Sequence, residues 1–266
     1  MILGMDLGGS AVKVVGMEGE KLCLTHYEHN SPRTASRILR ELLEREGLKS
    51  GDVAGVAVTG LGAERCDIEK TGLPFARVPE LPSIGRGAAF LAGVDRAVVA
   101  SFGTGTAFIR ADGDSFTHLG GTGVGGGTLV GLGGRILGCR DPEEIDRMAR
   151  TGDLGRVDLT IGDLCSGGGS LPADMTASNL AKAGAESTSA DWAAGILNLV
   201  LQVVGSMAVF CTKGCGLDTV VVTGTPAALP AARAAYEKFQ EMYGLRFLVP
   251  DRGRFATAMG AALQWK

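Results

Sequence analysis

Two glycine-rich turns, each placed between apolar segments with strand character, constrain this sequence more than any other feature. The first turn, residues 8–10, follows an apolar run that ends at Asp6 and precedes a second run that contains Lys13. The second turn, residues 103–106, also lies between two apolar runs. Each pattern predicts a β-hairpin. Backbone N–H groups in such turns can converge on one anion, so two of them predict the opposing halves of a polyphosphate site and ATP-dependent chemistry.

The composition is that of an ordinary globular protein. Of the 266 residues, 45% are hydrophobic and 21% are charged, a balance that argues against intrinsic disorder. The formal net charge of −3 gives no support for binding to nucleic acid or to an anionic membrane. We therefore expect an anionic ligand to be held locally, by backbone amides and a metal ion. The 42 glycines are concentrated in turns and in residues 120–138, as expected where backbone passes close to a ligand or to other backbone.

The sequence also predicts a reduced, cytoplasmic setting. It begins directly in a predicted strand, without the pattern of a signal peptide. The six cysteines are scattered and form no Cys-x-x-Cys pair, which is not typical of a disulfide scaffold. The longest apolar run, residues 192–210, is interrupted by glycine, asparagine, glutamine and serine. We therefore expect a buried or interface helix there, and no membrane span.

The order of predicted elements indicates an approximate internal duplication. The predicted strands are residues 2–6, 12–17, 21–28 and 53–58 in the first half, and 97–101, 106–110, 115–119, 157–161, 219–222 and 246–249 in the second. The predicted helices begin after Pro32, after Pro82, near residue 128 and at Pro142, span residues 190–213, end near residue 242 and begin again at residue 254. Gly167, Gly168 and Gly169 predict a mobile connection. We expect an α/β fold with two lobes, residues 1–93 and 94–266, around a cleft with one glycine turn on each wall.

Several motifs occur in a fixed order along nearly the whole chain. They are Gly4-x-Asp6-x-Gly8-Gly9-Ser10-x-x-Lys13, Phe102-Gly-Thr-Gly-Thr106, Gly120-Gly-Thr-Gly-Val-Gly-Gly-Gly-Thr128, Met148-Ala-x-x-Gly-Asp153, Val157-Asp-Leu159, Asp174-x-Thr-Ala-x-Asn179 and Val222-x-Gly224. In order and spacing they resemble the type II pantothenate kinases, a family with the duplicated actin-like ATPase (ribonuclease H-like) fold. The resemblance implies a kinase that uses ATP and Mg²⁺ to phosphorylate the primary hydroxyl of pantothenate in coenzyme A biosynthesis. It also implies a homodimer formed through the helix at residues 190–213.

The resemblance assigns nucleotide binding to the glycine-rich segments. The residues concerned are Asp6, Gly8, Gly9, Ser10, Lys13, Gly103, Thr104, Gly105, Thr106, Gly125, Gly126, Gly127, Thr128 and Gly224. Asp6 would anchor Mg²⁺ through water or, alternatively, only cap its turn. Lys13 could reach a phosphate or remain a solvated strand lysine. Residues 125–128 would offer free amides and a helix dipole to the nucleotide, or serve close helix–sheet packing. Gly224 would lie at the adenosine pocket, or in a plain strand-to-helix turn.

Glu80 is the candidate general base. It lies in Val78-Pro-Glu-Leu-Pro-Ser, where the related kinases place a catalytic glutamate before a helix of small residues. A carboxylate held by prolines near a cleft can accept the proton of a hydroxyl group. The other interpretation is an exposed loop glutamate or an acidic residue favoured at a helix N-terminus. The residues directly after Glu80 depart from the acidic and small pattern expected of the family.

For the acceptor, the resemblance points to Glu80, His118, Gly120, Asp174, Thr176 and Asn179. His118 stands where the related kinases have an arginine that clamps the pantothenate carboxylate. Either His118 does this less well, another arginine such as Arg86 or Arg135 reaches in, or the acceptor lacks that carboxylate, as pantetheine does. His118 could also be a packed or surface histidine, and the last three residues of the set could be helix N-caps.

Other classes of the same fold remain open at this point. A non-kinase ATPase, such as an activator of a radical dehydratase, holds an iron–sulfur cluster between subunits through cysteines, and Cys211 and Cys215 lie near the end of the predicted interface helix. A kinase for another hydroxyl compound, including sugars, is a further alternative, although no aspartate lies in a setting typical of a sugar kinase base. A catalytically silent homologue is the third.

Overall fold

The backbone forms two five-stranded sheets in a computed structural model that describes residues 1–29, 32–165 and 172–265. The strands of the first sheet are β1 (Ile2–Leu7), β2 (Ala11–Glu18), β3 (Lys21–His29), β4 (Gly55–Thr59) and β5 (Phe75–Arg77), in the order β3-β2-β1-β4-β5. Strands β1, β2 and β3 form an antiparallel meander, whereas β4 and β5 run parallel to β1.

The second sheet repeats this arrangement. Its first strands are β6 (Arg96–Phe102), β7 (Thr106–Asp112) and β8 (Ser115–Thr122), again an antiparallel meander. Two short strands, β9 (Leu159–Thr160) and β10 (Thr176–Ser178), pair separately. The parallel strands β11 (Thr219–Thr223) and β12 (Arg246–Leu248) complete the order β12-β11-β6-β7-β8. The predicted duplicated α/β fold is confirmed.

The helices cover both faces of these sheets. They are α1 (Ala35–Arg45), α2 (Glu80–Ala92), α3 (Gly126–Leu132), α4 (Pro142–Ala149), α5 (Ile161–Leu164), α6 (Ser189–Gly214), α7 (Pro230–Tyr243) and α8 (Ala256–Ala262). Strands β4 and β11 are buried along their whole length, as expected of apolar strands covered by helices on both faces.

Helices α2 and α8 each pack on the sheet that is formed by the other half of the sequence. Helix α2 packs against β6, β7 and β8 of the second sheet, whereas α8 packs against β1, β2 and β4 of the first. Glycines allow the two helices to cross in direct backbone contact: a Cβ at Gly87 would lie 1.8 Å from the carbonyl oxygen of Ala256, and one at Gly260 would lie 1.8 Å from that of Ser83. This contact fixes the N-terminus of α2 relative to the N-terminus of α8. The lobe boundary after residue 93 stays a prediction.

Helix α6 is the longest element and lies where residues 190–213 predicted it. It begins with a capping box in which Thr188 and Asp191 exchange hydrogen bonds. Val200, Val204 and Ala208 belong to its buried stripe, which packs under the second sheet. By length and composition alone this helix could cross a membrane, with a mean hydropathy of 1.9, and half of its apolar window is buried inside the protein.

Some predicted elements differ from those observed. The strand expected at residues 157–161 is reduced to β9, because Thr160 caps α5 by accepting a hydrogen bond from the backbone N–H of Asp163. The terminal helix begins at Ala256, after a 3₁₀ turn at Gly253–Phe255. Strand β5 was not predicted. The predicted mobile connection at Gly167, Gly168 and Gly169 lies outside the described residues.

Candidate active site

The two glycine turns face each other across one large cavity. The cavity has a volume of about 1460 Å³, and both turns line it. The turns meet directly, since the Ser10 Oγ and Thr104 Oγ1 atoms lie 2.6 Å apart. The sequence predicted two opposing turns, and the structure brings them together.

The turn between β1 and β2 places two opposite charges at the cavity wall. Asp6 and Lys13 are paired in the strand register, and Lys13 Nζ donates to Asp6 Oδ2 over 3.0 Å. The turn is closed by the Gly8 N–H, which donates to the Ala11 carbonyl over 3.1 Å. Asp6 is buried, yet it still borders the cavity. A carboxylate is the hard oxygen donor that Mg²⁺ prefers, so the residue fits the predicted metal role.

The turn between β6 and β7 is held by the start of helix α3. Gly126 and Gly127 donate their backbone N–H groups to the carbonyls of Gly103 and Thr104, each over 2.8 Å. The Gly125 N–H donates to Thr128 Oγ1 over 3.2 Å. The expectation that this helix start offers free amides to a nucleotide is therefore wrong for these three residues.

Close packing is the observed reason for glycine at this helix start. A Cβ at Gly125 would lie 2.6 Å from the carbonyl oxygen of Thr104, closer than real Cβ contacts. Gly126 and Gly127 still line the cavity beside the turn. The glycine run therefore positions the second turn, and its direct contact with a nucleotide stays a prediction.

Glu80 lies in the cavity as the first residue of α2. Burial raises the pKa of its carboxyl group, the nearby negative charge of Asp6 raises it further, and Lys13 partly opposes the shift. A half-buried carboxylate with a raised pKa is a stronger base than an exposed one. Glu80 therefore begins a helix and also lines the cavity, and its role as the general base stays a prediction.

Gly224 ends β11 in a conformation that favours glycine. Its φ is +104°, and a Cβ there would lie 2.0 Å from the Phe102 carbonyl oxygen of β6. The following residues, Thr225 and Pro226, line the cavity, whereas Gly224 itself is not among the described lining residues. Gly224 therefore sets the path of the turn that carries these residues.

The structure does not bring His118 to the cavity. His118 is exposed on β8, and a bulge leaves Ile109 opposite it and Phe108 opposite Gly120. Neither His118 nor Gly120 is among the described lining residues. Of the two proposed substitutes, Arg86 pairs with Asp114 over 2.9 Å and lies over the ring of Phe116.

Arg135 also does not reach the described cavity wall. It lies in a π-helical turn, Gly133–Leu137, that follows α3. The arginines that do line the cavity are Arg140, Arg150 and Arg254. Of these, Arg150 donates to the buried Asp146 over 2.8 Å.

Thr176 and Asn179 belong to a polar cluster away from the described cavity lining. We define the Asp158 cluster as Asp158, Thr176, Asn179 and Asn198. The fully buried Asp158 carboxylate accepts hydrogen bonds at Oδ2 from Thr176 Oγ1 (2.9 Å), Asn179 Nδ2 (3.2 Å) and Asn198 Nδ2 (2.7 Å). Its Oδ1 accepts from the Leu180 N–H over 2.8 Å, at the single non-glycine positive φ among the described residues.

The Asp158 cluster gives the motifs Val157-Asp-Leu159 and Asp174-x-Thr-Ala-x-Asn179 a shared structural reason. It ties the β10 segment to helix α6, and none of its members caps a helix as the alternative interpretation proposed. The remaining motif residue, Asp174, is exposed and pairs with Lys238 over 3.3 Å. The role of these residues in acceptor binding stays a prediction.

Sequence reasoning missed several residues of the cavity wall. Tyr27 and His29 on β3 line it because the register places them opposite Lys13 and Ala11. Residues opposite each other in a ladder share one face of the sheet, so the hairpin pattern held a usable signal for both. Arg254 and Thr257 arrive from the far end of the chain with α8, and only the tertiary fold reveals them.

Cys211 and Cys215 lie near the end of α6. Burial, together with the neighbouring Cys215, raises the pKa of the Cys211 thiol, so this cysteine is less reactive than an exposed one. Among the described residues, no group of three or more His, Cys, Asp or Glu side chains is placed to hold a metal ion.

The two duplicated sheets and their helices have the actin-like ATPase fold. Two solved structures share this fold along almost the whole chain. The activator of the 2-hydroxyisocaproyl-CoA dehydratase from Clostridium difficile, with bound ADPNP, has a TM-score of 0.70 and 21% identity, covering 98% of this chain and 92% of that one. A ROK family protein from Streptococcus pneumoniae TIGR4, in complex with sucrose, has a TM-score of 0.61 and 13% identity, covering 99% and 97%.

The sequence comparisons give a family match over about half of the chain and similar proteins over almost all of it. The Fumble family matches residues 96–227. The type II pantothenate kinase of Staphylococcus aureus (strain USA300) is 26% identical over 273 residues, covering 98% of both chains. The chain is thus similar to the type II pantothenate kinases, and the resemblance inferred from its motifs is confirmed.

Proposed function

We propose that this protein is an ATP-dependent kinase that transfers the γ-phosphoryl group of ATP to the primary hydroxyl of pantothenate. One structural observation carries the proposal: the two turns meet over a single cavity that also contains Glu80. Phosphoryl transfer requires positioned phosphates, neutralised charge and an acceptor for the hydroxyl proton. The residues that line this cavity include a candidate for each of these three requirements. Similarity to pantothenate kinases over 98% of the chain supports the acceptor.

The residues divide the chemical work as follows. The backbone amides of Gly9 and Ser10 in the first turn and of Thr104 and Gly105 in the second bind phosphate oxygens from opposite sides. Lys13 adds positive charge, and Asp6 would hold Mg²⁺, which supplies further charge neutralisation when bound. Glu80 accepts the proton of the attacking hydroxyl, and its raised pKa makes the carboxylate a better acceptor for that proton.

Pantetheine is the second candidate acceptor. Position 118, where the resemblance places an arginine that clamps a carboxylate, holds a histidine that is exposed and lies outside the described cavity lining. An acceptor without a carboxylate would not need that clamp. The dehydratase activators share the fold, but at 21% identity or less they support a nucleotide site and no particular reaction.

A homodimer formed through α6 and a cytoplasmic location are also part of the proposal. Phe210 of α6 is 71% exposed, and Leu199 and Val203 lie on the same stripe at helical spacing. Such a stripe of apolar side chains is suited to a second copy of the chain. We expect Phe210→Glu to shift the sedimentation coefficient from dimer to monomer, and an unchanged dimer would reject this interface.

A coupled assay of ADP release tests the activity. The purified protein is mixed with ATP, Mg²⁺ and one of pantothenate, pantetheine or N-acetylglucosamine, beside a control without acceptor. We expect turnover with pantothenate, at a rate well above the control. Turnover with pantetheine alone would select the second candidate. Turnover with the sugar alone, or an equal rate in the control, would refute the assignment.

A further inference from the structure

Arg254 lines the cavity with a cationic side chain that has no role in the proposed mechanism. Its guanidinium carbon lies 5.4 Å from the ring centroid of Tyr27, which orients the side chain by a cation–π contact. Within residues 1–29, 32–165 and 172–265, no carboxylate lies within ion-pair distance of this guanidinium. A cation that lines a cavity without a countercharge is suited to an anionic ligand.

The neighbours of Arg254 place it at the nucleotide end of the cavity. On one side, Tyr27 is the strand partner of Lys13, whose ammonium group lies beside the first turn. On the other side, the carbonyl of Gly253 accepts a hydrogen bond from the Gly224 N–H over 3.1 Å. Arg254 therefore lies between the first phosphate turn and the turn that carries Thr225.

The charges around the first turn explain why a cation is needed at the position of Arg254. At the first turn, the positive charge of Lys13 is already opposed by Asp6 at 3.0 Å, and Glu80 adds a further negative charge. Without another cation, this wall would repel a triphosphate, which remains anionic even with one Mg²⁺ bound. Arg254 supplies the missing charge, and a guanidinium forms paired hydrogen bonds with phosphate oxygens.

We infer that Arg254, oriented by Tyr27, binds the phosphate oxygens of the nucleotide. The inference rests on the proposed function and adds a residue that no glycine motif contains. The same guanidinium chemistry would suit the carboxylate of an acceptor, so the test must separate the two anions.

Calorimetric titrations without acceptor make this separation. ATP, ADP and adenosine are each titrated into the wild-type protein, Arg254→Ala and the matched control Arg252→Ala, which removes an exposed arginine from the same segment outside the described lining. We expect Arg254→Ala to weaken ATP binding about 10- to 100-fold and to leave adenosine binding unchanged. Arg252→Ala should match the wild type.

Three outcomes would overturn the inference. They are an unchanged ATP affinity in Arg254→Ala, an equal loss for adenosine, and a raised KM for pantothenate as the sole effect. A wild-type protein that fails to bind ATP would instead refute the proposed function. If Arg254→Ala does not fold, as judged by its circular dichroism, Tyr27→Leu and Tyr27→Phe replace it, and only the leucine variant should weaken ATP binding.

Discussion

The two glycine turns and the Asp158 cluster both carry motif residues of the same family, but the structure uses them in opposite ways. In the turns, Asp6, Ser10 and Lys13 direct polar atoms to a large cavity. In the Asp158 cluster, the polar atoms face each other, and the buried carboxylate accepts four hydrogen bonds from its neighbours. A buried polar group whose hydrogen bonds are satisfied internally stabilises a fold and has little left to offer a ligand. Resemblance alone does not separate these roles, whereas the direction of the hydrogen bonds does.

The sharpest test of this contrast is on the cavity side. We expect Glu80→Gln to lower kcat about 10²- to 10⁴-fold, because glutamine cannot accept the hydroxyl proton. The dissociation constant of ATP should stay within about twofold, since the phosphate-binding turns are unchanged. Steady-state kinetics and calorimetry check the two quantities. Glu64→Gln, at an exposed glutamate with no role in the site, serves as the control. Wild-type turnover in Glu80→Gln would remove Glu80 from the mechanism.

The Asp158 side of the comparison predicts a loss of stability. Asp158→Asn replaces an acceptor of four hydrogen bonds with an amide that also carries donors, so buried groups lose their partners. We expect the free energy of unfolding to fall by about 3 kcal/mol, measured by urea denaturation. The ATP dissociation constant of the folded fraction should not change. Asp95→Asn, at an exposed aspartate, should alter stability by less than about 0.5 kcal/mol. A specific loss of ATP binding without loss of stability would place the cluster in the site.

The glycines beside the second turn allow a finer test. In Gly125→Ala, the new methyl group would collide with the Thr104 carbonyl, and the turn must shift. We expect a loss of about 1–3 kcal/mol in unfolding free energy and weaker ATP binding. A methyl group at Gly123 meets no atom within 4 Å, so Gly123→Ala is the matched control. Equal behaviour of the two variants would mean that close packing is not what positions this turn.

The smallest expected effect is on the pH profile. Glu80 must be deprotonated to act as a base, and burial and Asp6 raise its pKa. Activity should therefore fall, as the pH is lowered, around a pKa above the ordinary glutamate value of about 4.3. The acidic limb of kcat/KM reports that pKa for the free enzyme. A limb at or below the ordinary value would show that Glu80 is not the group that titrates.

The sequence predicted the fold well because its signals are local. Hairpin turns, apolar strand runs and helix caps such as Thr188 are encoded by neighbouring residues, and they suffice for both meanders and for α6. The two turns and Glu80 were likewise found from short motifs. The crossing of α2 and α8 was not, because it depends on glycines about 170 residues apart in the sequence, Gly87 and Gly260.

The missed and misplaced site residues have a related cause. Arg254 reaches the cavity only through the exchange of α8 between the two halves. The backbone amides of Gly126 and Gly127 donate to carbonyl groups of a turn some 20 residues earlier in the chain. No local sequence pattern reveals this pairing. The positions of Thr176 and Asn179 could not be predicted for the same reason, since their hydrogen-bond partner Asp158 is itself buried by the tertiary fold.

Hydrogen–deuterium exchange with and without ADPNP tests the central claim most directly. If the two turns grip the phosphates together, amide protection should rise in residues 8–10 and 103–106 on ligand addition. It should stay unchanged in residues 176–180, which lie outside the described cavity wall. Protection of one turn alone, or a change centred on the Asp158 cluster, would contradict the account.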